Sequence, residues 1–250
     1  MLSKAKLKYI KSLQLKKYRK EEQCFIVEGA RSVAELLDSD FQVTMIAATP
    51  GFLEDNSRAA DRAVARLAEI IPSTERELAN AGTLQTNQSA IAVVKMKPNV
   101  PPRLSVDEFA LVLDDIRDPG NLGTIIRTAD WYGIHNIIAS GETTDVYNPK
   151  TIGASMGSFL RVNLFYTVLT DYLQKASNLY GTFLKGSDVH TIRFGNGGFI
   201  VIGNESTGIS PAVEEMIHER IMIPRYGQAE SLNAGVAAAI VLDNLRRSNK

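Results

Sequence analysis

Phe109-Ala110-Leu111-Val112-Leu113, followed after a short gap by Asp118-Pro119-Gly120-Asn121-Leu122-Gly123-Thr124-Ile125-Ile126-Arg127-Thr128-Ala129, decides the fold class. An unbroken apolar run of this length reads as a strand buried on both faces, and Pro119 and Gly120 turn the chain into a helix that Asn121 can cap. Arg127, six residues on, lies nearly two turns into that helix. The same alternation continues. Asn136 to Ala139, Val162 to Phe165, Phe199 to Ile202 and Arg220 to Ile223 read as further short buried strands. Helical patterns fall at Asn121 to Tyr132, Pro149 to Ser158, Asp171 to Leu179, Pro211 to His218 and Ser231 to Arg247. Strand and helix in succession require crossover connections, which predicts an α/β domain with a parallel sheet covered on both faces.

Toward the amino terminus, the stretch from Val93 to Val106 holds Pro98, Pro101 and Pro102 among Lys95, Lys97 and Arg103, with little room for a regular element. This places a linker at residues 96–106, between a first domain of residues 1–95 and a second of residues 107–250. In the first, extended runs at Cys24 to Val27, Gln42 to Ala47 and Ser89 to Val94 alternate with helical patterns at Arg31 to Leu37 and Ala59 to Ile70, a small α/β unit.

The formal charge is zero, from 28 basic and 28 acidic residues, but it is unevenly spread. Residues 1–20 hold eight basic groups and no acid, so the remainder carries 20 basic against 28 acidic. A basic arm therefore leads an acidic body. Such an arm is a solvated helix face or, with Tyr9 and Tyr18 interleaved, a surface for a phosphate backbone. The longest uncharged apolar run, Ala234 to Leu242, is far short of the roughly 20 residues of a membrane span, so no membrane association is expected. A single cysteine, Cys24, excludes an internal disulfide, and a lysine-rich start without an apolar core is unlike a secretory signal; both point to the cytoplasm.

Ligands of open parallel sheets gather at the carboxyl ends of strands, where this chain places two more polar turns. After Phe199 to Ile202 comes Gly203-Asn204-Glu205-Ser206-Thr207-Gly208-Ile209-Ser210-Pro211; Glu205 either meets a ligand or caps the next helix. After the last strand comes Ile223-Pro224-Arg225-Tyr226-Gly227-Gln228-Ala229-Glu230-Ser231-Leu232-Asn233-Ala234-Gly235, where Ser231 reads as a helix N-cap. Gly153-Ala154-Ser155-Met156-Gly157 matches the nucleophile elbow of hydrolases, with Asp188 and His190 or His218 downstream, but Pro149 and Lys150 just before it read as a helix start instead of the strand an elbow needs. A dinucleotide fingerprint is absent, and His135, His190 and His218 lack metal-ligand spacing, so no metal is expected.

The three turns, in this order and spacing, resemble the signature motifs of the SpoU, or TrmH-like, branch of the SPOUT RNA methyltransferases. Asn121-Leu122-Gly123 with Arg127 is similar to the first motif, Gly203-Asn204-Glu205 with Gly208 to the second, and Ile223-Pro224 with Ser231-Leu232-Asn233-Ala234 to the third. Lys17-Tyr18-Arg19-Lys20 followed by Phe25-Ile26-Val27-Glu28-Gly29 resembles the start of that family's small ribosomal-protein-like RNA-binding domain. The resemblance implies transfer of a methyl group from S-adenosylmethionine to a ribose 2'-hydroxyl of structured RNA, ribosomal or transfer RNA. It also implies a homodimer and a carboxyl-terminal trefoil knot, against the general avoidance of threaded chains. On this resemblance Asn121, Arg127, Glu205, Ser231 and Asn233 are the catalytic set, Gly203, Ile223 and Leu232 shape an adenosine pocket, and Lys17, Arg19 and Lys20 contact RNA. The rival reading is a noncatalytic RNA-binding protein that kept the fold.

Methyl transfer to an alcohol is an in-line displacement, so the site must hold the oxygen in line and aid loss of its proton. Arg127 suits a bidentate grip on a phosphate and stabilisation of developing negative charge. A guanidinium offers no acceptor and has a pKa above about 12, which argues against Arg127 as a literal base.

Overall fold

The computed structural model describes residues 1–84 and 89–248, so the last two positions of the expected second domain lie outside it. The chain divides into two units, Met1–Pro98 with Tyr147–Leu160, and Asn99–Val146 with Arg161 onward. Tyr147–Leu160, within the residues expected to form the second domain, groups with the first unit.

In the first unit the basic arm folds into two helices, α1 (Lys4–Ser12) and α2 (Lys16–Glu22). There follow β1 (Cys24–Glu28), α3 (Ala30–Leu37), β2 (Val43–Ala48), α4 (Pro50–Asp55), α5 (Ser57–Ala65), β3 (Glu69–Pro72), α6 (Glu75–Ala81) and β4 (Ala90–Lys95). The sheet order is β1-β4-β2-β3, with β4 antiparallel to both neighbours and β2 parallel to β3. The helix expected over Ala59 to Ile70 stops early because Leu67 takes a left-handed conformation (φ 70°), which reverses the chain into β3. Ile10 and Leu13 bury against Cys24, Ile26 and Leu78, so the arm is anchored by its apolar side.

Arg19 corrects an expectation. It is 1% exposed, and its Nη1 donates to the carbonyl oxygens of Leu13 (3.0 Å) and Gln14 (2.8 Å) where α1 gives way to α2. A guanidinium held inside to satisfy two carbonyls is a structural clamp and is withdrawn from RNA. Lys17 and Lys20 stay exposed on the same helix.

The second unit begins with β5 (Phe109–Leu113), α7 (Pro119–Trp131) and β6 (Asn136–Ala139). Helix α8 (Pro149–Ser155) belongs to the first unit. Its Ser155 is fully buried, with the hydroxyl donating to the Ile152 carbonyl at 2.8 Å, so the hydrolase-elbow pattern closes a helix and does not follow a strand. The second unit resumes with β7 (Asn163–Tyr166), α9 (Leu169–Leu173), β8 (Leu179–Phe183), β9 (Ser187–Asp188), β10 (Gly198–Ile202), α10 (Pro211–Glu214), β11 (Glu219–Met222) and α11 (Ala234–Ser248). Seven strands form one sheet in the order β7-β6-β5-β10-β8-β11-β9, and every pairing is parallel.

Strands β8 and β9 lie beyond the five expected, and the helix expected over Asp171 to Leu179 ends at Leu173. Gly181 inside β8 breaks the apolar run that marks a buried strand, yet it fits because a Cβ there would come within 2.7 Å of the Phe183 ring. On this structure Arg19→Ala, which strands the buried Leu13 carbonyl and the part-buried Gln14 carbonyl, costs roughly 2 kcal/mol of stability in the first unit. Urea denaturation reads that loss, and retention of wild-type stability would contradict the clamp.

Candidate active site

Strands β5 and β10 pair in parallel with Leu113 opposite Ile202, so the loops that leave them emerge side by side at the same sheet edge. The loop after β5 is fixed by its own acids. Buried Asp114 accepts from the Ser210 amide through Oδ2 at 2.7 Å. Asp115, left-handed at φ 59°, donates its amide to Ser140 Oγ at 3.0 Å and accepts from Asn204 Nδ2 through its carbonyl at 2.8 Å. Asp118 Oδ1 then takes the Asn121 amide at 2.9 Å and so caps α7. Asn121 was expected in that role; with Asp118 in place its side chain is released for a tertiary contact.

The loop after β10 folds back on itself. The backbone amide and carbonyl of Asn204 pair with those of Gly208 at 3.0 and 2.9 Å, and Asn204 Oδ1 accepts from the Ser206 and Thr207 amides. Gly203 permits this, since a Cβ there would lie 2.4 Å from the main chain of Gly208 and Ile209. At the tip, Glu205 Oε1 accepts from Asn121 Nδ2 (2.6 Å), Asn233 Nδ2 (3.1 Å) and the Ala234 amide (3.0 Å). Asn233 Nδ2 also donates to Asn121 Oδ1 at 2.8 Å. One carboxylate oxygen thus ties together the loop after β10 and the starts of α7 and α11, while Oε2 has no protein donor among the described residues. Close packing of the two helices depends on Gly235, where a Cβ would come 2.9 Å from Thr124 Cγ2.

Beside this cluster lies a cleft of about 290 Å³ whose walls include Asp115, Arg117, Asn121, Asn204, Glu205 and Ala234. Arg117 is 74% exposed and donates through Nε to Asp115 Oδ1 at 2.8 Å. That hydrogen bond first, and the Asp115 charge second, hold its guanidinium above its ordinary pKa.

Of the expected catalytic set, the structure brings together Asn121, Glu205 and Asn233. Ser231 does not cap α11: that helix starts at Ala234, and Asn233 Oδ1 accepts from the Gly235 amide at 3.0 Å and the Val236 amide at 3.3 Å. Ser231 and Leu232 lie in the exposed segment just before it. Arg127 is exposed, lines no part of the cleft and has no polar partner among the described residues. Six residues from Asn121, it lies about 9 Å along the helix and on another face. Gly203 opens the loop after β10 and Ile223 directly follows β11, strands that flank β8 in the sheet. Sequence reading missed Asp114, Asp115 and Arg117, for which no local signal existed, and quoted Asn204 within the second motif without giving it a role. It could have found Asp118, since an acid directly before a helix-starting proline is a capping signature.

Asn233 does two separable jobs. Asn233→Ala removes the cap and costs about 1 kcal/mol, with faster amide exchange at Gly235 and Val236. Asn233→Asp keeps the capping oxygen but sets a second carboxylate against Glu205, so exchange protection stays at Gly235 and Val236 and falls at Ala234. Equal behaviour of the two variants in amide exchange would refute this division.

Comparison with known proteins accords with this geometry. Residues 108–243 match the SpoU rRNA Methylase family, and residues 4–92 match an MRM3-like substrate binding domain. The chain is 32% identical over 246 residues, 96% of each chain, to the Bacillus subtilis 23S rRNA (guanosine(2553)-2'-O)-methyltransferase RlmP. It is 34% identical over 166 residues, 61% of this chain and 58% of the other, to a Streptomyces viridochromogenes 23S rRNA (uridine(2479)-2'-O)-methyltransferase. Among solved structures it resembles the AdoMet-bound rRNA methyltransferase of Sinorhizobium meliloti, with TM-score 0.88, 28% identity and 99% and 97% of the two chains covered. It also resembles the SpoU methyltransferase AviRb of S. viridochromogenes in complex with AdoMet, with TM-score 0.84, 26% identity and 99% and 98% covered. The chain belongs to the SpoU rRNA methylase family.

Proposed function

We propose that this protein transfers a methyl group from S-adenosylmethionine to a ribose 2'-hydroxyl of structured RNA, with ribosomal RNA the substrate its relatives favour. The observation that carries this reading is the meeting of three distant motif turns on Glu205 Oε1 at the wall of a cleft. At about 290 Å³ the cleft is at the small end of ligand pockets and suits one sugar-phosphate unit.

The expected cofactor residues fit an adenosine. Gly203 and Ile223 follow the ends of β10 and β11, on either side of β8. Leu184, just past β8, and Leu232, before α11, are 73% and 45% exposed and offer apolar surface to a purine. S-adenosylmethionine, when bound, would supply a methyl carbon on a positively charged sulfur to the ribose 2'-oxygen, the carbon–sulfur bond breaking as the carbon–oxygen bond forms, with the neutral thioether S-adenosylhomocysteine and the hydroxyl proton released. Asn121 and Asn233, locked by Glu205, orient the sugar; Glu205 Oε2 is open to accept from a hydroxyl. Arg127 binds phosphate and stabilises negative charge as it develops, and Ser231 adds a hydrogen bond at the rim.

A homodimer belongs to the same reading. Trp131 on α7 is 84% exposed and Val236 on α11 is 47% exposed, on the two helices that carry the motif residues. Arg127 sits one turn before Trp131 on the same face of α7, so pairing of two copies there brings Arg127 to the interface. The family relationship also supports a trefoil knot in the second domain and RNA contact through Lys17 and Lys20 of the first. We take residues 1–95 as the RNA-binding domain, 96–106 as the linker and 107–250 as the methyltransferase domain. No helix among the described residues is long and apolar enough to cross a membrane, and we place the protein in the cytoplasm with its RNA.

Calorimetric titration with S-adenosylmethionine and mapping of 2'-O-methylation in cellular RNA with and without the protein test the activity. RNA binding without cofactor binding would favour the noncatalytic rival. Arg127→Lys keeps the charge without the planar fork and lowers kcat/KM at least tenfold; near-wild-type turnover would remove the geometric role. Trp131→Glu yields a folded monomer with reduced turnover, read by analytical ultracentrifugation alongside methyl transfer.

A further inference from the structure

Arg117 shares the cleft with the motif residues yet belongs to none of the three motif roles. Among the cleft-lining residues it is the one cation, set among Asp115, Asp118 and Glu205. A cleft lined by carboxylates repels a nucleic-acid phosphate, so a sugar-phosphate enters it only where a positive group receives the anion. Arg117 is placed for this. Its Nε is engaged by Asp115 Oδ1 at 2.8 Å, which leaves its two terminal nitrogens for a ligand.

Asp115 in turn is held on both sides of its backbone, by Ser140 Oγ and by Asn204 Nδ2, in a left-handed conformation that few side chains adopt. The Arg117–Asp115 pair itself, at the surface, adds little to stability. Nothing in the sequence around Asp115 marks the pair; it emerges from the folded loop.

We propose that Arg117 grips the phosphate that flanks the target ribose, with Asp115 as its positioning residue. The inference rests on the RNA methyltransferase reading and extends it by assigning a second anion contact, within the cleft, distinct from the phosphate given to Arg127 outside it. Two N–H groups on a planar fork match two phosphate oxygens, which fixes the register of the sugar as well as binding it.

The test uses the full-length protein and 23S rRNA transcribed in vitro, with the methylated nucleotide mapped first and then carried on a synthetic RNA fragment. Arg117→Gln should raise KM for the RNA about tenfold while its thermal melt and its Kd for S-adenosylmethionine stay as in wild type. Asp115→Asn, which tolerates the left-handed backbone, should give a smaller rise, and Arg117→Lys a partial rescue. On a fragment with a neutral methylphosphonate in place of the flanking phosphate, the wild-type KM should rise and the Arg117→Gln defect should vanish. An unchanged KM for Arg117→Gln, or an equal defect on both fragments, would overturn the phosphate contact while leaving the methyltransferase reading intact. Absence of methyl transfer by the wild-type protein to the transcript would instead remove the reading, and this inference with it.

Discussion

A single carboxylate oxygen sets the geometry of the site. Glu205 Oε1 receives three N–H groups from two helix starts that are far apart in sequence, and each is a charge-assisted bond of the stronger kind. Glu205 is exposed, so water competes for these bonds and their net contribution to global stability is modest. Their effect is local order: three loops that would each sample many conformations are reduced to one arrangement, and the entropic cost is met before any ligand arrives. The sheet makes this possible, because the parallel register of β5 against β10 brings both loops to one edge.

Legibility in the sequence followed burial. Strands β5, β6 and β10 were readable because a parallel sheet buried on both faces demands continuous apolar runs. Strand β8 was not, because Gly181 interrupts its run, and β9 is two residues long. In the first unit, Leu67 adopts a conformation that its side chain disfavours, so no local rule could have split α5 from β3. Arg19 shows the limit of charge counting. Its neighbours Lys17 and Lys20 are solvated, but only the turn between α1 and α2 decides that Arg19 points inward to two carbonyls.

The site was legible as three turns and illegible in its division of labour. Asp118 and Asn121 both suit an N-cap, as do Ser231 and Asn233; local spacing cannot choose between them. The choice is made by Glu205. Once its carboxylate claims the amides of Asn121 and Asn233, Asp118 is left to cap α7, whereas Asn233 serves both ends by capping with Oδ1 and donating with Nδ2. Helical periodicity did locate Arg127 within α7, but phase matters as much as distance, and six residues turn it away from the face that bears Asn121.

Charge divides between the units in a way that suits a polyanion handled in two steps. Of the eight basic residues in the first twenty, Lys6 pairs with Glu69, Lys11 bonds to Asn80 and Arg19 is internal, which leaves Lys4, Lys8, Lys16, Lys17 and Lys20 exposed and outside such bonds. The internal Arg19 cannot reach a phosphate, so the arm's salt dependence is shallower than its count of eight basic residues suggests. The cleft, by contrast, is lined by acids, amides and one arginine. On the proposed function, long-range attraction would reside in the exposed lysines, where salt screens it, and discrimination in short-range contacts within the cleft, which salt screens less. On the proposed function, ionic strength would then act on how often RNA is captured more than on how a captured ribose is seated.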